Sequence, residues 1–187
     1  MIFEQIFLSF ECVQYSFDKV LSMEESAFDP IDLRLLAELQ RDASRSNQAL
    51  AECLGISPAT SLRRVRRLVE LGVIERQVAL LQPDRLAALL GHGLTALVEV
   101  SLDRQGQEML DAFEARAVAD AQVQQCWRVS PGPDFVLVVA VHDMPGYQAL
   151  AQRLFTQDAN VRNVRAFFSL KRAKFEPALP LPERGRS

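Results

Sequence analysis

The sequence contains few cysteines, and their arrangement excludes the structures that cysteines usually build. Only three of the 187 residues are cysteine, namely Cys12, Cys53 and Cys126, an odd number at wide spacing without a C-x-x-C pair. Disulfide-dependent domains and zinc sites both need paired or closely spaced cysteines. We therefore expect three reduced thiols, no disulfide framework and no metal site.

The sequence also lacks a long hydrophobic run. No apolar stretch reaches the roughly 18–20 residues that cross a bilayer, so no membrane partner is expected. The N-terminus, MIFEQIFLSFECVQYSF, is apolar, but it has no basic segment and includes Glu4 and Glu11, which argues against a signal peptide. The sequence therefore predicts a cytoplasmic protein.

Residues 1–27 are predicted to be an N-terminal extension. Met23 opens the sequence MEESAFDPIDLRLL, which is a short acidic lead into a helix. Two interpretations are open: Met1 is a misassigned start and translation begins at Met23, or residues 1–22 form a weakly ordered extension. The intact mass of protein expressed from its native gene distinguishes the two.

Sequence patterns typical of catalysis are absent as well. There is no P-loop and no G-x-G-x-x-G motif, and no Ser-His-Asp, Cys-His or paired-carboxylate arrangement stands out. The two histidines, His92 and His142, do not have the spacing of metal ligands, either with each other or with Cys126. The prediction is a protein that is not an enzyme and that needs no metal or cofactor.

The net charge gives no sign of a nucleic-acid partner. Twenty-one basic and 24 acidic residues give a formal charge of −3. The segment SPATSLRRVRRLVELGVIE, residues 57–75, nevertheless has four arginines within five positions, at Arg63, Arg64, Arg66 and Arg67. A basic surface on this protein is therefore local, and this segment is where a nucleic acid would dock.

Three short helices are predicted around this segment. Asp29 and Pro30 begin the first, which ends near Asp42, while Ser46 caps the second and Gly55 ends it. The third helix follows after a three-residue connection, which is the spacing of a helix-turn-helix. Its N-cap serine is followed by proline at the first helical position, a strong signal for a helix start.

The third helix is predicted to end at Leu71-Gly72 and to carry the DNA-binding surface. Leu62, Val65 and Leu68 are expected to face inward, so the polar positions between them face outward, with Arg66 on the flank. Such arginines pair with guanine or clamp phosphates. The sequence VIERQVALL that follows is predicted to be a strand serving as a wing. The predicted DNA-binding residues are Ser57, Pro58, Thr60, Ser61, Arg63, Arg64, Arg67 and Arg76.

In the second half of the chain, stretches typical of strands alternate with stretches typical of helices. Apolar runs at 94–102, 123–130, 135–142 and 161–175 read as strands, and two stretches with helical spacing lie before the second and fourth of them. The order β-α-β-β-α-β is typical of a ferredoxin-like antiparallel sheet. The predicted fold class is α+β. Its predicted parts are a winged helix-turn-helix at 28–80, a linker at 81–91, a ferredoxin-like domain at 92–175 and a flexible tail at 176–187.

These motifs together resemble the Lrp/AsnC family of bacterial and archaeal transcription regulators. The resemblance runs from Phe28 to Phe175 and rests on D-x-x-D-x-x-L-L-x-x-L-Q, L-G-[IL]-S-P, R-V-x-R-L and G-V-I. It implies a winged helix-turn-helix that binds double-stranded DNA. It also implies a C-terminal domain that dimerises through its sheet, assembles further to tetramers or octamers, and commonly senses an amino acid.

The effector loop of that family is the place where this sequence departs from the pattern. The family loop reads Gly-Asp-x-Asp-[Tyr/Phe], whereas this chain has SPGPDF. Pro131 and Pro133 supply no N–H for a ligand carboxylate, and Asp134 is left as an acceptor for its ammonium group. The predicted effector-binding residues are Pro131, Gly132, Pro133, Asp134 and Phe135, although the same segment also reads as a rigid turn without a ligand.

Two further functions are compatible with this pattern. The protein could bind DNA with little sequence preference, as nucleoid proteins do, in which case its specificity ratio at fixed salt is close to one. It could instead be an amino-acid-binding regulatory subunit of an enzyme, with the helical half as a docking module. Charge reversal at Arg63 and Arg64 separates these alternatives, because it abolishes DNA binding and leaves an enzyme partner unaffected.

Overall fold

The computed structural model describes residues 28–90 and 93–182. The position of the translation start lies outside the described residues. The chain divides into two compact units. Of the described residues, the first comprises 28–79 together with 176–182, and the second comprises 80–90 and 93–175. The C-terminal segment is thus grouped with the helical unit.

The first unit is built from three helices, α1 (Pro30–Arg41), α2 (Asn47–Leu54) and α3 (Pro58–Glu70). In each case a side chain just before the helix accepts a hydrogen bond from a backbone N–H of the first turn. The three N-cap residues are Asp29, Ser46 and Ser57. All three are residue types preferred at N-caps because they satisfy donors that the helix leaves unpaired. The predicted helix starts are confirmed.

A small hydrophobic core holds these helices together. Its buried members are Leu35, Leu50, Leu54 and Leu68. Between α2 and α3 lie only three residues, the first of which is Gly55 with a φ of 68°. Glycine adopts this left-handed conformation without steric cost, so it ends α2 and turns the chain sharply into α3. The helix-turn-helix prediction is confirmed.

The predicted wing strand is wrong for a single chain. After α3 the backbone of residues 75–82 has no regular secondary structure, and helix α4 (Pro83–Leu90) follows. A strand is stable only when a neighbouring strand accepts and donates its backbone hydrogen bonds. All four strands among the described residues belong to the sheet of the second unit, so this segment has no strand to pair with in its own unit.

The second unit has the predicted β-α-β-β-α-β order. Its elements are β1 (Leu94–Leu102), α5 (Gln107–Ala119), β2 (Val123–Arg128), β3 (Phe135–Val141), α6 (Met144–Ala151) with a π-helical turn at Gln152–Thr156, and β4 (Val161–Phe168). The strands form one sheet in the order β2-β3-β1-β4, and every neighbouring pair is antiparallel. The ferredoxin-like prediction is confirmed.

The sheet is covered on one face. Alternate residues of β1 and β3 are buried against α5, α6 and the π-helical turn, as expected for strands whose side chains alternate between faces. The opposite face carries exposed apolar side chains, which we call the open sheet face. Its members include Leu97 on β1, Trp127 on β2 and Phe167 on β4, with Val136 and Val138 of β3 between them.

The last strand is shorter than predicted. It ends at Phe168 instead of Phe175 because β1, its partner, begins at Leu94 and offers no backbone groups beyond the bond from Ser169 N–H to the carbonyl of Thr95 (2.9 Å). The chain then continues without regular structure.

The segment after this strand forms two hydrogen bonds with α1. The backbone N–H of Leu179 donates to Gln40 Oε1 (2.6 Å), and the side-chain amide of Gln40 donates to the Leu179 carbonyl (3.2 Å).

Candidate nucleic-acid interface

The N-terminus of α3 is fixed by its own side chains. Ser57 Oγ accepts from the backbone N–H of Thr60 (3.2 Å) and lies 2.9 Å from Thr60 Oγ1. Pro58 occupies the first helical position, where a missing N–H costs nothing. Ser57 and Pro58 are exposed, whereas Thr60 is half-buried. The first turn is therefore rigid and open to a ligand on one side.

Ser61 does not face outward, as the sequence had suggested. It is fully buried, and among the described atoms its Oγ has no hydrogen-bond partner. Leu62, expected inside, is 41% exposed. The inward face is centred on Ser61 and Leu68, which are seven residues apart and so lie on one line of the helix. Because Leu62 is apolar, the sequence places the inward face one residue too far along the helix.

Two of the four arginines point toward acidic residues of the first helix. Arg64 Nη1 lies 2.7 Å from Asp29 Oδ2 and 2.7 Å from Asp32 Oδ1, and Arg67 Nη1 lies 3.2 Å from Asp32 Oδ2. The side chain of Asp32 is 2% exposed and that of Arg64 18%. A carboxylate so deeply buried needs a cation beside it, so these arginines hold α3 against α1.

The ionisation of this cluster follows from the same contacts. The hydrogen bond from Arg64 to Asp32, reinforced by Asp29, raises the pKa of the Arg64 guanidinium, although burial opposes this. Burial also disfavours the charged form of Asp29, but the backbone N–H of Asp32 and the Arg64 side chain outweigh it and lower the pKa of Asp29. The Arg64 guanidinium is therefore engaged by the carboxylates of Asp29 and Asp32.

The exposed face of α3 is a stripe with the spacing i, i+3, i+4, i+7 and i+11. It lines an open concavity of about 420 Å³ together with the partly exposed Arg67. The members of this stripe, which we call the α3 outer face, are Ala59, Leu62, Arg63, Arg66 and Glu70. Arg66, placed on the flank by the sequence, lies at its middle. If Ser61 is taken as a buried position, helical spacing places Ala59 and Leu62 on the exposed face, so this assignment could have been made from the sequence.

Arg76 lies in the irregular segment after α3. Its guanidinium Nε is 3.6 Å from Glu75 Oε1, and both side chains are largely exposed. An exposed pair of neighbouring opposite charges contributes little to stability and separates at little cost. Arg76 is therefore available to a phosphate, although not from the wing strand on which the sequence had placed it.

The predicted effector loop is held by hydrogen bonds to its own unit. The backbone N–H of Asp134 donates to the carbonyl of Val100 (2.9 Å), and Asp134 Oδ2 accepts from the N–H of Leu102 (2.7 Å). The carbonyl of Asp134 accepts from the N–H of Val129 (3.1 Å). Gly132 has a φ of 122°, which favours glycine. Asp134 thus fixes the loop to β1.

Phe135, the last predicted effector residue, belongs to the hydrophobic core. It is fully buried, its ring centroid lies 4.8 Å from that of Phe113, and the Arg128 guanidinium is 5.7 Å from its ring centroid. Pro131 is exposed and Pro133 half-buried at the surface of the loop. In one chain, only the 131–134 part of the predicted effector segment has surface that a ligand could contact.

The described residues offer neither a metal site nor a membrane span. They contain no group of three or more His, Cys, Asp or Glu side chains placed to hold a metal ion, and His92 lies outside them. Among the helices of residues 28–90 and 93–182, none is both long and apolar enough to cross a membrane.

Comparison with known proteins identifies both units. A family described as winged helix-turn-helix DNA-binding matches residues 28–75, and one described as the Lrp/AsnC ligand binding domain matches residues 95–179. The leucine-responsive regulatory protein of Rhizobium meliloti is 38% identical over 146 residues, covering 78% of this chain and 91% of the relative. The Bkd operon transcriptional regulator of Pseudomonas aeruginosa is 35% identical over 153 residues, covering 82% and 97%.

The solved structures that resemble this chain are transcriptional regulators as well. An AsnC family transcriptional regulator from Agrobacterium tumefaciens matches with a TM-score of 0.72 and 29% identity over 82% of this chain and 97% of that one. The L-Met complex of a transcriptional regulator from Neisseria meningitidis matches with a TM-score of 0.71 and 27% identity, covering 82% and 96%.

Proposed function

Because this chain belongs to the Lrp/AsnC family of transcription regulators, we propose that it binds operator DNA in the cytoplasm with the α3 outer face. The observation that carries the proposal is the concentration of free positive charge on α3 in a chain whose formal charge is −3. Arg63 and Arg66 are exposed on one face, whereas Arg64 is engaged by α1. Electrostatic attraction to phosphates supplies most sequence-independent affinity for DNA.

The parts of the interface have different roles. Arg63 and Arg66 reach base edges or phosphates from the second and third turns of α3, while Ser57 and Thr60 lie where the helix approaches the backbone. Arg76 contacts phosphate from the segment behind α3. Buried Ser61 contributes no contact, and Arg64 acts through α1 by setting the orientation of the helix.

We further propose that the regulator is a homo-oligomer built on the open sheet face. Trp127 on β2 is 58% exposed there, Leu97 and Phe167 lie opposite each other on β1 and β4, and Val136 and Val138 of β3 lie between. A contiguous apolar sheet face of this kind is typical of an interface between copies. A symmetric dimer presents two α3 helices to DNA half-sites about 34 Å, or a multiple of this, apart.

The ligand of the second unit is proposed to be an amino acid. The match to a ligand binding domain and the L-Met complex of a structural relative support this class. The residues 131–134 of the loop offer the Gly132 N–H as a donor for a carboxylate, between two prolines that offer none. Binding at a subunit interface would shift the population of assembly states and hence the spacing of the α3 helices.

The test is selection of genomic DNA by the purified full-length protein at a stated salt concentration near physiological. We expect sharp enrichment of a short, approximately palindromic site. The R63E/R66E variant should lose it, whereas R104E, a charge reversal at an exposed loop position of the second unit, should retain it. Broad enrichment without a site would support the nucleoid-like alternative, and absent enrichment would support the enzyme-subunit alternative.

A further inference from the structure

The α3 outer face is apolar as well as basic. Leu62 is 41% exposed, and Ala59, one turn earlier, is exposed beside it. Both line the same open concavity as Arg63 and Arg66. Two apolar side chains thus lie in the first two turns of the helix, on the N-terminal side of the Arg63 and Arg66 side chains.

The core does not explain the exposure of Leu62. The hydrophobic cluster of the first unit is centred on four buried leucines, and Val65 packs against it from α3, but Leu62 is not among its members. A leucine that leaves the core and lies among arginines gains no stability there. Its side chain is placed to contact whatever the arginines bind.

Duplex DNA offers one apolar group on the edges of its bases in the major groove. That group is the C5 methyl of thymine, which apolar side chains contact, whereas guanine and adenine present polar acceptors and donors. Arg63 and Arg66 supply the charge complementarity that brings the groove to this face. Glu70, at the C-terminal end of the same stripe, disfavours phosphate and restricts close contact to the turns that precede it.

We propose that Ala59 and Leu62 are specificity-determining residues that contact thymine methyl groups in the major groove. The inference rests on the proposed function, because it assumes that the α3 outer face enters that groove. It adds a base preference: the bound site has thymine at the positions that the first two turns cover, flanked by positions that Arg63 and Arg66 contact. Each methyl contact contributes roughly a fourfold gain in affinity.

The test uses a randomised double-stranded library and the full chain. The wild-type protein, L62A and L71A each select from the library at one salt concentration, and single thymines of the wild-type site are then replaced by deoxyuridine, which lacks only the methyl. L71A is the matched control, because Leu71 is also exposed but lies on the opposite side of the helix from Leu62. Thermal unfolding of each variant checks that the fold is retained.

The expected result is a site with at least one thymine whose replacement weakens wild-type and L71A binding about fourfold and leaves L62A binding unchanged. Equal affinity of the wild type for thymine and deoxyuridine at every position overturns the inference, and so does undiminished discrimination by L62A. Either result leaves the proposed function intact. Selection of no site by the wild type overturns the proposed function and this inference together.

Discussion

Helix α3 and the loop between β2 and β3 are the two segments whose sequence predicts ligand binding. They differ in how many of their polar groups stay exposed and how many bond within the fold. In α3, Arg64 is engaged by neighbours, but Arg63 and Arg66 remain exposed. In the loop, Asp134 bonds to β1 and Phe135 fills the core. A motif thus specifies where the chain turns, while tertiary partners decide which of its groups a ligand can reach.

The buried ion pair of α1 and α3 is the strongest test of this comparison. Replacing Asp32 by Asn removes the charge that Arg64 and Arg67 meet, and it leaves Arg64 with too little compensation at a site that is 18% exposed. We expect a loss of about 3–5 kcal/mol in the free energy of unfolding of the first unit. Urea unfolding of the full chain, followed by far-UV circular dichroism, measures it.

The matched control for this change is Asp29→Asn. Asp29 contacts the same Arg64 atom at the same distance of 2.7 Å but is 44% exposed, and asparagine still caps α1. Its loss should be below about 1 kcal/mol. Similar losses for both variants would mean that the burial of Asp32 is not what makes the pair important.

The exposed arginines should separate DNA affinity from stability. R66A is expected to weaken binding to the selected site about tenfold without changing the unfolding temperature, because the Arg66 side chain is exposed and has no role in the core. R64A should instead lower the unfolding temperature, because it leaves Asp32 without its 2.7 Å partner. Fluorescence anisotropy at several salt concentrations, beside thermal unfolding, measures both. An R64A variant that loses affinity at full stability would contradict this division.

Substitutions of Asp134 test the loop between β2 and β3, the second segment of the comparison. D134A leaves the N–H of buried Leu102 without its acceptor, which should cost about 1–3 kcal/mol. D134N keeps an acceptor oxygen and loses the charge, so it should remain stable and lose binding of any amino acid whose ammonium group it holds. Calorimetric titration with L-methionine, beside urea unfolding, distinguishes the two. Wild-type heats in D134N would show that the carboxylate serves only the loop.

The architecture was predictable because its signals are local. Asp29, Ser46 and Ser57 cap helices by bonds within one turn, and the alternation of apolar and polar residues in the second half of β1 indicates which of its faces is buried. The absence of the wing strand could not be predicted, because the strand propensity of a segment does not show whether a neighbouring strand is there to pair with it.

The orientation of α3 was less predictable for a related reason. Leu62 fits an inward stripe as well as Ser61 fits an outward one, and only contacts with α1 and α2 decide between the two assignments. The deciding contact joins Arg64 to Asp32, which lies in the first turn of α1 and completes its N-cap; an acidic residue is common there, so its type alone does not indicate a distant partner.

A smaller effect concerns acid stability in the second unit. Arg153 bonds to both oxygens of Asp120, at 2.6 and 3.0 Å, and this lowers the pKa of Asp120 although burial opposes the shift. A lowered folded-state pKa stabilises the fold above the unfolded value of about 3.9, and the contribution disappears as the pH falls through the folded value. D120N should therefore be less stable than the wild type at pH 7, by at most about 1 kcal/mol, and the difference should shrink as the pH falls below the unfolded pKa of about 3.9. A difference that persists in acid would contradict the assignment.

The smallest expected effect concerns the C-terminal segment 176–187, which the sequence predicts to be a flexible tail. Gln40 holds both the N–H and the carbonyl of Leu179, which is the pattern that one strand residue offers another. Because both partners are exposed, Q40A should lower stability by only about 0.5–1 kcal/mol, but it should also raise hydrogen exchange at the Leu179 amide. Q48A, at another exposed glutamine, whose bond to Glu52 stays within α2, should leave that exchange unchanged. Protection at Leu179 that survives Q40A would mean that contacts other than this amide pair hold the segment on the helical unit.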